Sequence, residues 1–517
     1  MNIIRLCLAL SKSGLLSFPS ITKLLRAILK QGLNLMTLLD FAANKYDKNV
    51  ALIDDTDELT YSELLNDSIK LSSYLNEHCN VGPKQKVGIL CRNHASLVKS
   101  IFALSRLGSN LYFINAEVGK IQFDQLVKKH QFDFFIYDAS FSSFVKELNV
   151  KQKLCMSEII EILNQNQEPL SIRRTSSSNI ILLTSGTTGT PKEVIHKPSL
   201  FNYLNPFLGM VQRLKLVHYK NGYIATPLYH GYGIAILFLF IVLGKKVVLS
   251  EKFDVKKACE LIRKHEVEIV TVVPLMIHKM MKENVAHLNS LRCIASGGAV
   301  LSPNLVEEVQ ESLGDVLYNL YGTSETGLNI IATSDDLTYS TCTLGKGIKG
   351  VKLKIVNSLQ ENAQRGTIGQ LWVKSKGSMV NPNNHWISTG DLAYQDANGF
   401  YFLAGRQDDM IVSAGENVYP IYIENILLEH AFIEDVAVIG IHDEQFGQRL
   451  QAFIQTKQGA EITQELLFEW LQSKVARYEM PKEITFIDSI PYTPLGKKDK
   501  KQLSHLVNEQ CPIPRWN

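Results

Sequence analysis

A chain of 517 residues is longer than one hydrophobic core usually serves, so two or more domains are expected. Hydrophobic residues make up 45% and charged residues 20%; the formal net charge of +3, with no long basic tract, speaks against a nucleic-acid binder. Eight cysteines scattered without CxxC spacing argue against a zinc site or a disulfide framework and fit a reducing cytoplasm.

The first 39 residues carry Arg5, Lys12, Lys23, Arg26 and Lys30 and no acidic residue, and Ser11 to Ser13 break the apolar stretch, which does not fit a cleaved signal peptide. From Ser20, read as an N-cap after Pro19, Ile21, Leu24, Leu25, Ile28 and Leu29 recur at helical spacing with basic residues opposite. A helix over residues 20–31 suits either peripheral contact with an anionic inner-membrane surface or docking on the protein's own core. Helical patterns at 61–78, 94–107 and 120–130 alternate with apolar strands at 86–90 and 132–137, the signature of an α/β fold with parallel strands. The run 234–243 is too short to span a bilayer and reads as a buried helix before a strand at 246–249. Alternation resumes with a strand at 267–273, a helix at 275–283 and a strand at 293–296.

From 351 onward strands shorten, as at 371–374 and 400–404, suggesting a β-rich subdomain that closes a large domain over 1–405. A smaller α+β unit, 406–517, follows the charged turn 406–409, with helices at 421–430 and 463–475 and strands at 436–440, 451–455 and 483–486.

After the apolar run 180–183 comes Thr184, Ser185, Gly186, Thr187, Thr188, Gly189, Thr190, Pro191, Lys192. Hydroxyl donors, glycines that let backbone N–H groups approach an anion, and one lysine suit a phosphate-holding loop, but the spacing is not that of Walker A. With Tyr-Gly-Thr-Ser-Glu-Thr-Gly at 321–327, Ser-Thr-Gly-Asp at 388–391, Gly-Arg-Gln-Asp-Asp at 405–409 and Pro-Leu-Gly-Lys at 494–497, in this order over about residues 40–505, the chain resembles the AMP-forming acyl-CoA synthetase (adenylate-forming) superfamily.

The resemblance implies a large N-terminal domain and a mobile C-terminal one pivoting at Asp408, with ATP, Mg2+ and CoA as ligands. By it, Thr184 to Lys192 hold the β and γ phosphates, Glu325 is the Mg2+ ligand, and Thr323 contacts phosphate beside Gly322. Gly297, Gly298, Ala299 and Tyr321 meet adenine, Asp391 and Arg406 grip the ribose, and Lys497 bridges carboxylate and α-phosphate. Tyr229, His230 and Gly231 match the acid pocket, and Ser413, Ala414 and Gly415 the path of CoA. For Asp391 and Arg406 a structural ion pair is the alternative, and Lys498 and Lys500 also read as a solvated basic run. Two positions depart from the family pattern: Glu193 stands where glycine is usual, next to a phosphate loop it would repel unless it points outward, and Ala414 replaces a second glycine.

The basic N-terminal segment, the 409–413 turn, the 416–420 segment and Phe446-Gly447-Gln448 look closest to bacterial fatty-acid-CoA ligases, with Ile234, Ile236, Leu237 and Phe238 as either tunnel or core. The leading expectation is activation of a medium- or long-chain fatty acid to acyl-adenylate and acyl-CoA in the cytoplasm. The alternatives are a ligase for an aromatic or short-chain acid, or one serving a carrier protein, and a catalytically weak nucleotide- or acyl-binding homologue.

Overall fold

Short β-branched and aromatic runs bounded by turns become the strands of three sheets in the computed structural model, which describes residues 17–148, 150, 152–164, 172, 174–175, 179–184, 192–196, 204–357, 359–375, 385–413, 416–443, 447–493 and 496–510. One sheet has the order Gln152–Cys155, Phe134–Tyr137, Lys86–Leu90, Asn110–Phe113, Ile180–Thr184, Lys192–His196. Its first five strands are parallel and the last is antiparallel. Parallel neighbours need crossovers, which the helices Ala95–Leu107 and Lys120–His130 supply.

A second, thirteen-stranded sheet has a parallel centre: Val50–Ile53, Lys246–Leu249, Asn221–Ile224, Ile269–Val272, Cys293–Gly297 and Leu317–Thr323. It turns antiparallel through Gly327–Ala332 and Thr343–Gly347 into Tyr401–Arg406, Ile387–Gln395, Gly369–Ser375 and Val351–Val356. This wing is the β-rich region foreseen from the shortened strands. The third sheet, of five strands, carries the helices Pro420–Leu428 and Gln464–Gln472, whose Ile423, Leu427, Leu467 and Leu471 are fully buried against it. The fold is thus mixed α/β, a large N-terminal domain followed by a smaller C-terminal one.

Element types agree with the sequence reading and boundaries shift by a few residues. The N-terminal helix begins before Ser20: it runs Phe18–Gln31 from Ser17, with Pro19 in the first turn, where a missing N–H leaves no intrahelical bond unmade. Leu24 and Ala27 pack on Phe41, whereas Leu25 and Leu29 are exposed. The apolar run forms the helix Gly231–Val242, hydrophobic on nearly every side as a buried helix must be. No helix among the described residues is long and apolar enough to cross a membrane.

Gly345 sits where the parallel sheet passes into the antiparallel wing, at φ +91°, and a Cβ there would lie 2.2 Å from the Ile331 carbonyl oxygen. Gly345→Ala is therefore expected to destabilise the large domain by about 3 kcal/mol, read as a lowered Tm, whereas Gly82→Ala, with nothing within 4 Å, leaves Tm unchanged. Equal Tm values for the two variants would refute this account of the crossing.

Candidate active site

The carboxyl ends of Cys293–Gly297 and Leu317–Thr323 open on a cavity of about 2930 Å³ between the two domains, where ligands of open α/β sheets characteristically bind. Gly297, Gly298 and Ala299 line it, with Gly298 at φ +84° turning the chain away from the strand end. Gly322 is required by close approach, because a Cβ would lie 2.4 Å from the Gly327 oxygen across the hairpin. The Thr323 hydroxyl is 2.8 Å from that of Thr326 and accepts the Thr326 N–H at 3.2 Å, which fixes the turn bearing Glu325 on the cavity wall.

Tyr321, Asp391 and Arg406 meet on this wall. Asp391 pairs directly with Arg406 across adjacent antiparallel strands. Its carboxylate accepts a hydrogen bond from the Tyr321 hydroxyl at 2.5 Å and lies 3.2 Å from Arg406 Nε. Burial raises the Asp391 pKa, opposed by Tyr321 and Arg406; burial and Asp391 together push the Tyr321 phenol up. The ion-pair alternative is therefore realised in geometry, and it lies in the cavity, where a pair of sugar hydroxyls would find an acceptor and a forked donor.

Lys497 reaches the same wall from the small domain. Its turn is closed by Thr493 N–H donating to the Lys497 carbonyl at 2.7 Å, and Gly496, at φ +71°, seats against Val273 so closely that a Cβ would approach Cγ2 to 2.7 Å. Lys497 is open to the cavity, yet the surrounding protein and Arg406 lower its pKa against the pull of Asp391, Glu325 and Asp409. Those five residues hence form one charged cluster.

Lys498 and Lys500 correct the solvated-run reading. Lys498 Nζ lies 2.9 Å from Glu424 and 3.6 Å from Asp435 and donates to the Val436 carbonyl; Lys500 Nζ lies 3.2 Å from Asp409. Burial works against the Lys498 charge, but Glu424 and Asp435 outweigh it and raise the pKa. Adjacent lysines thus do different work, one anchoring the turn and the other facing the cavity.

Tyr229 and His230 precede the helix Gly231–Val242, their rings 4.5 Å apart, and with Gly231 they line the cavity. Burial pushes the Tyr229 phenol up to about 12. Leu237 is buried core and off the lining, whereas Ile234, Ala235, Ile236, Phe238, Leu239 and Val242 line the cavity.

Ser185, Gly186, Thr187, Thr188 and Gly189 lie outside the described residues, as do Ala414 and Gly415. Thr184 and Lys192 are described in backbone only, paired with each other at the ends of their strands. Leu182 and Leu183, on the strand Ile180–Thr184, line the cavity. Glu193 points outward: Lys129 Nζ is 3.5 Å and His130 Nδ1 3.8 Å from its carboxylate, which answers the expected repulsion. Asp408 lies in the turn Gln407–Asp409 at the cavity edge, while Ser413 is buried and off the lining.

The fold keeps His230 neutral: burial, helped by Lys497, lowers its pKa from 6.5 to about 4. Between those values the unfolded chain binds a proton that the folded chain refuses, so the stabilisation is complete above pH 6.5 and is lost as pH falls to about 4. His230→Gln should flatten that acid limb of a Tm-against-pH curve; an unaltered limb would show that His230 is not held neutral.

Residues 39–380 match the AMP-binding enzyme family, and residues 422–497 match the AMP-binding enzyme C-terminal domain. The chain is 30% identical over 478 residues to the 2-succinylbenzoate–CoA ligase of Geobacillus sp. (strain WCH70), covering 89% of this chain and 95% of that one. The structure of Bacillus subtilis o-succinylbenzoate CoA synthetase in complex with its acyl-adenylate intermediate is similar at TM-score 0.79 and 25% identity, covering 90% of this chain and 97% of that one. The same Bacillus subtilis enzyme in complex with ATP and magnesium ion gives TM-score 0.78 and 26% identity, covering 90% and 99%. The chain belongs to the AMP-binding enzyme family, within the adenylate-forming superfamily of AMP-forming acid–thiol ligases.

Proposed function

We propose that this protein joins a carboxylic acid to CoA through an acyl-adenylate, and that its acid is an aromatic keto acid of the 2-succinylbenzoate type. The first step forms a bond between a carboxylate oxygen and the α-phosphorus of ATP as pyrophosphate leaves. In the second, the CoA sulfur displaces AMP from the acyl carbon and the thiol proton is released. The observation that carries the reading is the meeting of Lys497, from the small domain, with Tyr321, Asp391, Arg406 and Glu325 in one cavity. A lysine there holds two mutually repelling anions together, the reacting carboxylate and the α-phosphate.

Glu325 fits a Mg2+ site, since that ion takes one or two protein carboxylates and completes its shell with phosphates and water. When bound, the ion supplies charge neutralisation for the departing pyrophosphate. Asp391 and Arg406 orient the ribose, and Asp408 is the pivot about which the small domain exchanges the Lys497 turn for the Ser413 turn before CoA attacks.

The aromatic acid is supported by the relatives matched over most of the chain. One observation favours the fatty-acid reading instead. The wall along Gly231–Val242 is apolar over about 18 Å, twelve residues at 1.5 Å rise, and ends at Leu24, Leu38 and Phe41.

AMP release with ATP, Mg2+ and CoA, measured over 2-succinylbenzoate, benzoate, acetate and dodecanoate, is expected to be highest for 2-succinylbenzoate and to fall by roughly 100-fold or more in Lys497→Ala. No acid-dependent AMP from any of them would refute the ligase reading for these acids. Ala235, exposed to the cavity midway along the apolar wall, separates the two acids. Ala235→Trp should abolish any turnover of dodecanoate while 2-succinylbenzoate is still used; dodecanoate as the preferred acid would make the fatty-acid reading the correct one.

A further inference from the structure

The small domain is tied to the large one by a contact that no family motif contains. Glu434 is the second residue of the strand Ile433–Asp443, and pairing with Gly447–Thr456 slips between Ile433 and Asp435, leaving Glu434 as the extra residue of a β-bulge. Bulges re-aim side chains. Here the carboxylate leaves its own sheet for the helix Pro274–Asn284 of the large domain, where it pairs with Lys282 Nζ and lies 3.3 Å from His278 Nε2. Burial opposes its charge, yet Lys282 and His278 hold its pKa below the usual carboxylate range.

The next residue faces the other way, as strand neighbours do. Asp435 accepts a hydrogen bond from the Tyr492 hydroxyl and lies 3.6 Å from Lys498 Nζ, gripping both sides of the turn that carries Lys497. Two consecutive carboxylates therefore connect the large domain to the catalytic turn through one strand start. The hydrogen bond from Asn304 Nδ2 to the Leu428 carbonyl, 2.7 Å, docks the same face nearby.

We infer that Glu434 is a positioning residue for adenylate formation: its bond to Lys282 and His278 latches the small domain in the orientation that delivers Lys497, and must break before CoA attacks. This rests on the two-step ligase reading. The latch acts on the first half-reaction alone, because the second requires the small domain to have left this position.

The test compares wild type, Glu434→Gln and the charge-exchanged pair Glu434→Lys with Lys282→Glu. Acid-dependent exchange of pyrophosphate into ATP reports the first half-reaction; transfer to CoA from synthetic 2-succinylbenzoyl-adenylate reports the second. Glu434→Gln should slow exchange about tenfold, leave transfer within about twofold, and regain most of the exchange rate in the exchanged pair. Equal loss in both half-reactions, or none in exchange, would overturn the inference. Amide hydrogen exchange with ATP and Mg2+ needs no acid: residues 274–284 and 496–500 should lose protection in Glu434→Gln while 447–456 keep theirs, and unchanged protection would overturn the latch. Wild type inert toward the acid but showing this protection change would place the failure in the ligase reading instead.

Discussion

Burying one lysine determines where its neighbour can reach. Lys498 spends its charge inside the small domain on Glu424, Asp435 and the Val436 carbonyl. An ammonium removed from water costs several kcal/mol unless such partners surround it, so the turn has one well-defined seat. Lys497 follows it in sequence and is left to project across the domain boundary, toward Asp391, Arg406 and Glu325. The large domain supplies acceptors and glycine-lined space, and the small domain supplies a cation whose reach is set by rigid-body docking rather than by a flexible side chain alone.

The same division explains the cavity's electrostatics. Three carboxylates, Glu325, Asp391 and Asp409, act on Lys497 and raise its pKa, while the surrounding protein and Arg406 lower it. The cluster's own charges, Lys497 and Arg406 against Glu325, Asp391 and Asp409, are close to balanced. A nucleotide brings several negative charges into it, and cations that the protein's own carboxylates share must then be shared with phosphate. The outward turn of Glu193 toward Lys129 and His130 keeps a further carboxylate out of that competition.

What could be read in the sequence was local. Alternating helix and strand patterns gave the parallel sheets, and the motif glycines marked real close approaches, as at Gly322 and Gly496. The direction of Glu193 follows from strand alternation, but only once the antiparallel pairing of Ile180–Thr184 with Lys192–His196 is known. Lys498 looked like part of a solvated run because its partner Glu424 is 74 residues away. Glu434 was invisible for the same reason, its contact with Lys282 spanning 152 residues. Nothing in the pattern of one strand announces a bulge whose purpose lies in another domain.

Substrate choice was hardest to read, because a buried helix and a channel wall use the same residues. Leu237 faces the core while Ala235 and Phe238, its neighbours around the helix, face the cavity. Apolar composition cannot separate these faces; helical phase can, and only after the helix is oriented by its packing on Phe41 and the sheet. The proposed acid pocket therefore carries two kinds of information that need not agree. Its polar end, near His230, is constrained by chemistry common to every acid the site activates. Its apolar end answers only to the shape of the tail, so overall similarity to relatives constrains that end least, and on the proposed reading it is the width left beside Ala235 that decides which tail is admitted.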